Sequence, residues 1–256
     1  MSQPADALLA AVDLHKQFGG VQAVNGASFT VPAGQITGMI GPNGAGKSTV
    51  LNIIAGALRP DGGMVSYLGH DITGLRPYQV ARHGVIRTFQ LSSEFAALTV
   101  LENLLVAVPA QRGERLWQAA LGKRYWRPQE RANVERARQL LARFDMSAKE
   151  DDYAGNLSGG QKRLLELMRA MMAGPALLLL DEPMAGVSPS LARRIEQHLL
   201  DLCREGLTML MIEHELAVVE RLCDPVIVMA QGRVISQGTM ADVRADQEVL
   251  DAYLIG

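Results

Sequence analysis

Cysteine is nearly absent from these 256 residues: only Cys203 and Cys223 occur, and they show no metal-ligand or redox spacing. That excludes a disulfide scaffold and a cysteine-built metal centre, and two ordinary buried thiols in a reducing compartment are expected. Aromatic side chains make up 5% of the chain, and there is no surplus of positive charge, since the net charge is −2. With a pI near 6.2, nothing electrostatic favours nucleic acid as the main partner. Long apolar runs are missing too. The most apolar windows, such as residues 176–180, are cut short by charge, proline or glycine, far below the roughly 20 residues a membrane span needs. The first residues include Asp6 and no basic start followed by an apolar core, so no secretory signal is expected. The expectation is a soluble, cytoplasmic protein that can still sit against a membrane protein. Its 48% hydrophobic content suffices for a full core, as one large domain or a domain with a subdomain.

What is present begins with Gly41-Pro42-Asn43-Gly44-Ala45-Gly46-Lys47-Ser48-Thr49, which satisfies every fixed position of the phosphate-loop pattern G-x-x-x-x-G-K-[ST]. An apolar run, residues 36–40, reads as a buried strand before it, and residues 50–54 read as a helix after it. Three glycines let the backbone curl so that successive N–H groups converge, and the helix adds its positive N-terminal end, which makes a cavity for phosphate oxygens. Lys47 is expected to reach the β- and γ-phosphates and Ser48 to offer its hydroxyl to Mg²⁺. A plain glycine turn would need neither side chain.

Residues 8–14 and 27–31 read as strands of an antiparallel piece, with Phe18 in the loop between them. An aromatic there can stack on a purine, although composition alone is better served by a hydrophobic plug in a small sheet. Residues 64–68 alternate like a strand. Residues 85–89 form another candidate, ending at Gln90, whose amide oxygen could ligate Mg²⁺. From 91 to about 153 the character turns helical. Thr99 and Glu102 form a capping box ahead of an apolar stripe, and Pro128, at a first-turn position, opens a second helix bearing Ala137, Leu140, Leu141 and Phe144. Residues 112–127, with Trp117, Tyr125 and Trp126, are basic and aromatic, and read as a partly exposed helix pair and loop more than as a nucleic-acid or lipid patch. The segment is a helical insertion whose apolar surplus could also be a docking face.

Ser158 and Gln161 form a capping box around Gly159 and Gly160. Two glycines in a first turn cost about 1 kcal/mol each, and their bare backbone suggests a second phosphate-recognition surface. Residues 176–180 are a buried strand delivering Asp181 and Glu182 at its carboxyl end, where open α/β sheets bind ligands. Paired carboxylates there lose solvation without structural gain. Asp181 is therefore assigned to Mg²⁺ and Glu182 to polarising the attacking water. Ser188 and Pro189 start a helix, and residues 207–212 are a buried strand delivering Glu213 and His214, the histidine read as a γ-phosphate contact. Gln231-Gly232 is a hairpin signal between residues 226–229 and 233–236, and Thr239 with Asp242 caps a short helix.

The ordered set GPNGAGKST, Gln90, LSGGQ, LLLLDEP and His214 resembles the nucleotide-binding subunit of an ABC transporter over nearly the whole chain. The resemblance implies a head-to-tail dimer in which ATP at one chain's phosphate loop is also held by the other's LSGGQ. It implies that Phe18 stacks on adenine, with Val24 among the nucleotide-binding residues. Residues 41–49 would hold the phosphates, and Ser48, Gln90 and Asp181 would hold Mg²⁺. It further implies that Gln90 senses the membrane partner, that Ser158, Gly159, Gly160 and Gln161 act in trans, that Glu182 is the catalytic base and His214 the switch residue, with Lys47 on the phosphates. Looser stretches, among them Arg87-Thr88-Phe89-Gln90, residues 182–187, residues 212–216 and the tail 248–254, are similar to the ATPases of branched-chain amino acid importers. Relatives moving urea, amides or aromatic acids share them. Val187-Ser188 departs from the Leu-Asp found in many such ATPases, where the Asp helps couple the two sites.

The expected fold is an α/β P-loop ATPase with a mostly parallel core sheet, an N-terminal antiparallel β-subdomain and an inserted α-helical subdomain. Residues 1–256 are expected as a single domain: 1–90 and 156–238 as the α/β core, 91–155 as the helical insertion and 239–256 as a helical tail. The expected role is ATP hydrolysis on the inner face of the membrane, driving amino-acid import. The implied partners are a second ATPase, identical or related, two permease subunits and, indirectly, a solute-binding protein, with no nucleic acid. Alternatives are a lipid or lipopolysaccharide exporter ATPase, a soluble non-transport ATPase acting on nucleic acid or ribosomes, and a nucleotide-binding regulator without turnover. The non-transport class usually carries two fused ATPase units or long coiled coils, which are not seen here, and a regulator would be expected to lose Glu182 or His214.

Overall fold

Continuous apolar runs without alternation predict strands buried on both faces, and three such runs form the centre of the molecule. A computed structural model describes residues 7–88, 94–110 and 123–255. In it β1 (Ala7–Phe18), β2 (Val21–Pro32), β3 (Ile36–Ile40), β4 (Gly62–Tyr67), β5 (His70–Asp71), β6 (Val85–Arg87), β7 (Leu177–Asp181), β8 (Thr208–Ile212), β9 (Val226–Ala230) and β10 (Arg233–Gly238) make two sheets. One has the order β10-β9-β3-β8-β7-β6, the other β2-β1-β4-β5. The six-stranded sheet is parallel except for β10, which pairs antiparallel to β9, while the four-stranded sheet is antiparallel throughout. Every residue of β3, β7 and β8 is buried.

The described residues divide into two compact units, the first taking in Met1–Arg87, Ala176–Ala185 and Glu196–Gly256, the second Thr88–Pro175 and Gly186–Ile195. In the first unit both sheets feed one apolar core. Leu14, Val24 and Phe29 come from the antiparallel sheet and Met39, Leu179 and Leu210 from the parallel one, with Val50, Leu51 and Ile54 added by helix α1 (Lys47–Ile54). Each such fully buried aliphatic side chain contributes about 1.5–3 kcal/mol. The parallel order aligns the carboxyl ends of β3, β8, β7 and β6 side by side, so the residues following these four neighbours gather on one rim.

The second unit packs the helices Val100–Val106, Lys123–Arg143 and Gly159–Met172 against one another, with Leu104, Ala137, Leu141, Phe144, Leu165 and Met168 fully buried. Thr99 Oγ1 accepts the Glu102 N–H at 3.1 Å while Glu102 Oε2 accepts the Thr99 N–H at 2.8 Å, the reciprocal cap read from the sequence. Residues 156–175, assigned from sequence to the core, cluster with this unit, because the apolar face of Gly159–Met172 is covered by the other two helices.

Three local expectations are corrected. Phe18 does not lie in a long loop: β1 and β2 extend past the predicted strands, and Phe18 pairs with Val21 at the hairpin tip, with the residue 49% exposed. A solvent-facing ring cannot be a plug. Pro128 does not open its helix but lies inside Lys123–Arg143, since the helical turn is already running before the proline ring removes one N–H. Cys223 is buried, as expected, but Cys203 is only partly so. β6 ends at Arg87, and Gln90 lies outside the described residues, as does most of the 112–127 stretch with Trp117.

Candidate active site

The loop after β3 is shaped by two close backbone approaches. Gly41 has φ 145°, and a Cβ there would stand 2.0 Å from the Met229 carbonyl oxygen; at Gly46, with φ 98°, it would stand 2.3 Å from that of Ala23. Both neighbours are backbone and cannot yield. Glycine is therefore forced by the walls of the loop at these two positions, independently of any ligand. Gly44 is different, for a Cβ there would meet nothing within 4 Å. The Ala45 N–H donates to the Pro42 carbonyl at 3.2 Å, and the Gly232 N–H donates to the Ala45 carbonyl at 3.1 Å, tying the loop to the β9–β10 turn.

Lys47 starts helix α1 and is 6% exposed. Its Nζ folds back into the loop, donating to the carbonyls of Gly41 at 2.7 Å and Pro42 at 2.9 Å. Burial pushes its pKa below the usual lysine value, and the charges of Glu182 and Asp181 oppose that shift. The ammonium thus stands within electrostatic reach of both carboxylates. Ser48 and Thr49 follow in the first turn, half-buried, and Asn43 is exposed.

Asp181 closes β7 with no exposed surface. Its Oδ2 accepts from Arg87 Nη2 at 2.9 Å, while its Oδ1 is buried without a hydrogen-bond partner. Glu182 follows at φ 51°, a left-handed conformation rare for a side chain this long and costing on the order of 1–3 kcal/mol. The turn is held by the Glu182 N–H, which donates to the Ile212 carbonyl at 3.0 Å, and by the Ala185 N–H, which donates back to the Glu182 carbonyl at 3.1 Å. From the neighbouring strand end, His214 Nε2 makes a 2.8 Å hydrogen bond with Glu182 Oε1. Glu213 turns inward instead. It is 6% exposed and accepts the Met184 N–H at 3.2 Å; burial raises its pKa, while the backbone N–H groups of Met184 and His214 hold it down.

One unit therefore brings together Lys47, Ser48, Asp181, Glu182 and His214. The Phe18 ring lies at the tip of the β1–β2 hairpin under the Lys16 ammonium, 5.6 Å from its centroid. Val24 is not available at the surface. It is fully buried in the core, where β2 passes behind the loop. Ser158, Gly159, Gly160 and Gln161 belong to the second unit. Ser158 Oγ accepts the Gln161 N–H at 3.3 Å and Gln161 Oε1 accepts the Ser158 N–H at 2.9 Å. A Cβ on Gly160 would meet Leu191 Cδ2 at 2.2 Å, whereas one on Gly159 would meet nothing within 4 Å. Packing accounts for the second glycine alone. Ser188 takes the cap position of Pro189–Arg204, where its Oγ accepts the Leu191 N–H at 3.4 Å.

The family profile described as "ABC transporter" matches residues 24–185, well over half of the chain. The chain belongs to the ABC transporter ATP-binding family. A second profile, "Branched-chain amino acid ATP-binding cassette transporter", matches residues 233–254 of the cassette. The cassette is 40% identical to the probable branched-chain amino acid transport ATP-binding protein LivG of Archaeoglobus fulgidus, over 96% of this chain and 95% of the relative. It is 37% identical to the high-affinity branched-chain amino acid transport ATP-binding protein BraF of Pseudomonas aeruginosa, over 99% of both. Among solved structures it resembles a nucleotide-free ATP-binding cassette from an ABC transporter, with TM-score 0.81 and 38% identity over 96% of this chain and 98% of that one. A cassette solved in its ADP conformation matches with TM-score 0.82 and 38% identity, over 97% and 98%. The cassette is thus an ATPase of the transport-driving kind.

Sequence reasoning gave no role at the candidate site to three residues that the structure places there. Arg87 and Asn52 pair beside Asp181, and Glu213 braces the Glu182 turn. Arg87 carried a faint signal, being a charge that closes a short apolar strand. Asn52 carried none, because a polar residue in a short helix needs no partner. Glu213 stood in plain view as the residue delivered with His214, but only the tertiary structure shows it pointing away from solvent.

Proposed function

We propose that the chain holds ATP against the backbone N–H groups of residues 41–49, with Lys47 leaving the Gly41 and Pro42 carbonyls to reach the phosphates, and hydrolyses it with Glu182 as base. The residues present suit a Mg²⁺ ion: a buried, unpartnered Asp181 Oδ1 is an acceptor that lacks only a cation. Ser48, Asp181 and Gln90 would hold it, and when bound it supplies charge neutralisation at the phosphates. Glu182 takes a proton from the attacking water. His214, already in a 2.8 Å hydrogen bond with that carboxylate, orients it and meets the transferring phosphoryl group. Phe18, half-exposed at its hairpin tip with the Lys16 ammonium over its ring, would offer aromatic surface to the base.

Two chains closing head to tail would present Ser158, Gly159, Gly160 and Gln161 to the partner's nucleotide. The open space around Gly159 supports this, since its missing side chain answers no internal contact. The similarity to LivG and BraF supports a peripheral place on the inner face of the membrane, powering uptake of branched-chain amino acids through permease subunits. Among the described residues no helix is long and apolar enough to cross a membrane.

The observation that carries the reading is the His214–Glu182 pair on adjacent strand ends. Glu182→Gln keeps the size of the side chain and removes the base. Hydrolysis is expected to fall by about 10²- to 10⁴-fold while ATP binding persists, and gel filtration with ATP is expected to show a trapped dimer. Turnover equal to that of the unsubstituted chain would reject Glu182 as the base.

A further inference from the structure

Two residues that are expected to hold the metal, Ser48 and Asp181, stand on different elements, one in the first turn of α1 and one at the end of β7. A hydrogen-bonded path joins them. Asn52 Nδ2 donates to the Ser48 carbonyl at 2.7 Å, which ties its side chain to the helix turn that carries the Ser48 hydroxyl. Asn52 Oδ1 accepts from Arg87 Nη1 at 2.5 Å. Arg87 Nη2 then donates to Asp181 Oδ2 at 2.9 Å. The guanidinium is largely shielded, at 14% side-chain exposure, against a carboxylate with none. Its planar fork is fixed at both prongs, a geometry a lysine cannot supply.

We infer that Asn52 and Arg87 are positioning residues for the metal, setting the separation and orientation of Ser48 and Asp181 before any cation arrives. This rests on the proposed reading of the site. The carboxylate is used asymmetrically: Oδ2 is committed to Arg87, and Oδ1 is buried with no hydrogen-bond partner. A buried acceptor left in that state costs free energy. A carboxylate serving only as the counter-ion of Arg87 would gain by engaging both oxygens in a bidentate pair, whereas here the second prong goes to Asn52 and one oxygen stays open. The arginine also supplies one compensating charge beside the buried aspartate.

The path can be cut at two points without stranding the buried carboxylate. Asn52→Ala breaks the link to Ser48 and leaves the Arg87–Asp181 ion pair intact. Arg87→Lys keeps a positive charge beside Asp181 but cannot reach both partners. Mn²⁺ bound to the protein–ADP complex is measured by electron paramagnetic resonance, ADP affinity without metal is measured with a fluorescent analogue, and thermal melting is followed in parallel. The chain itself is expected to bind Mn²⁺ with ADP, and both variants to bind it about tenfold more weakly, with metal-free ADP affinity within about twofold and melting lowered by no more than a few degrees, the cost of the lost hydrogen bonds. Wild-type Mn²⁺ affinity in both variants would overturn the inference. So would an equal loss of ADP affinity with and without metal, which marks a merely structural role. Absence of Mn²⁺ binding in the unsubstituted chain would instead sink the metal assignment itself, and this inference with it.

Discussion

At the scale of the residue, the site stores unfavourable arrangements that packing alone does not call for. Glu182 sits at φ 51°, Asp181 leaves a buried oxygen unpartnered, and Glu213 is buried with its pKa raised. Each costs free energy, and all three stand at the ends of the adjacent strands β7 and β8. Glu213 allows a test by pH. A carboxyl whose pKa is raised in the folded state binds more protons there than in the unfolded chain, so its penalty is absent below the ordinary carboxylate range and grows as pH rises through and above it. Glu213→Gln keeps an acceptor for the Met184 N–H and removes the charge. The melting temperature of that variant is expected to exceed the parent's by a few degrees at pH 7.5, with the gain shrinking or vanishing near pH 4; an equal gain at both values would refute the buried-charge account.

At the scale of the element, two glycine-bearing helix starts look alike in sequence and differ in cause. Gly46 precedes α1 with a backbone oxygen 2.3 Å from where a Cβ would stand. Gly159 opens Gly159–Met172 with nothing within 4 Å. Gly46→Ala combines a left-handed alanine with an overpacked contact, and is expected to lose on the order of 2–5 kcal/mol, read as a drop in the denaturant midpoint. Gly159→Ala adds no clash and relieves a helix-weakening residue, so its melting temperature should hold or rise. Its ATPase activity should nevertheless fall at least tenfold, because the added methyl would stand where the partner's nucleotide is proposed to lie. Full activity in that variant would remove the structural reason for assigning the loop a role in trans.

At the scale of the whole molecule, the described residues form two units, one holding the phosphate loop, carboxylates and histidine and the other the LSGGQ turn. A single chain thus carries both halves of the proposed pocket, one in each unit, and in the proposed head-to-tail dimer each half would serve a different nucleotide. Reconstituted with its permeases in proteoliposomes, the chain is expected to drive accumulation of labelled leucine, isoleucine or valine on addition of ATP. Accumulation of urea or an aromatic acid in their place would overturn the choice of solute, and efflux of lipid would overturn the direction.

Much of this was legible in the sequence because it depends on local order. The phosphate loop, the capping boxes at Thr99 and Ser158, the buried strands and the positions of Asp181, Glu182 and His214 are set by spacing, since a strand's last residue points to its rim whatever the neighbours do. What only the tertiary structure decided are relations across long sequence separations. Strand order places β7 between β6 and β8, and that is what brings Arg87 to Asp181 over a separation of 94 residues and turns Glu213 under the Glu182 loop. It also buries Val24 and exposes Phe18, two residues of one hairpin that hydropathy alone cannot tell apart. Hydrophobic period and turn chemistry act over a few residues, whereas the partner of a buried charge is chosen by which strands lie side by side.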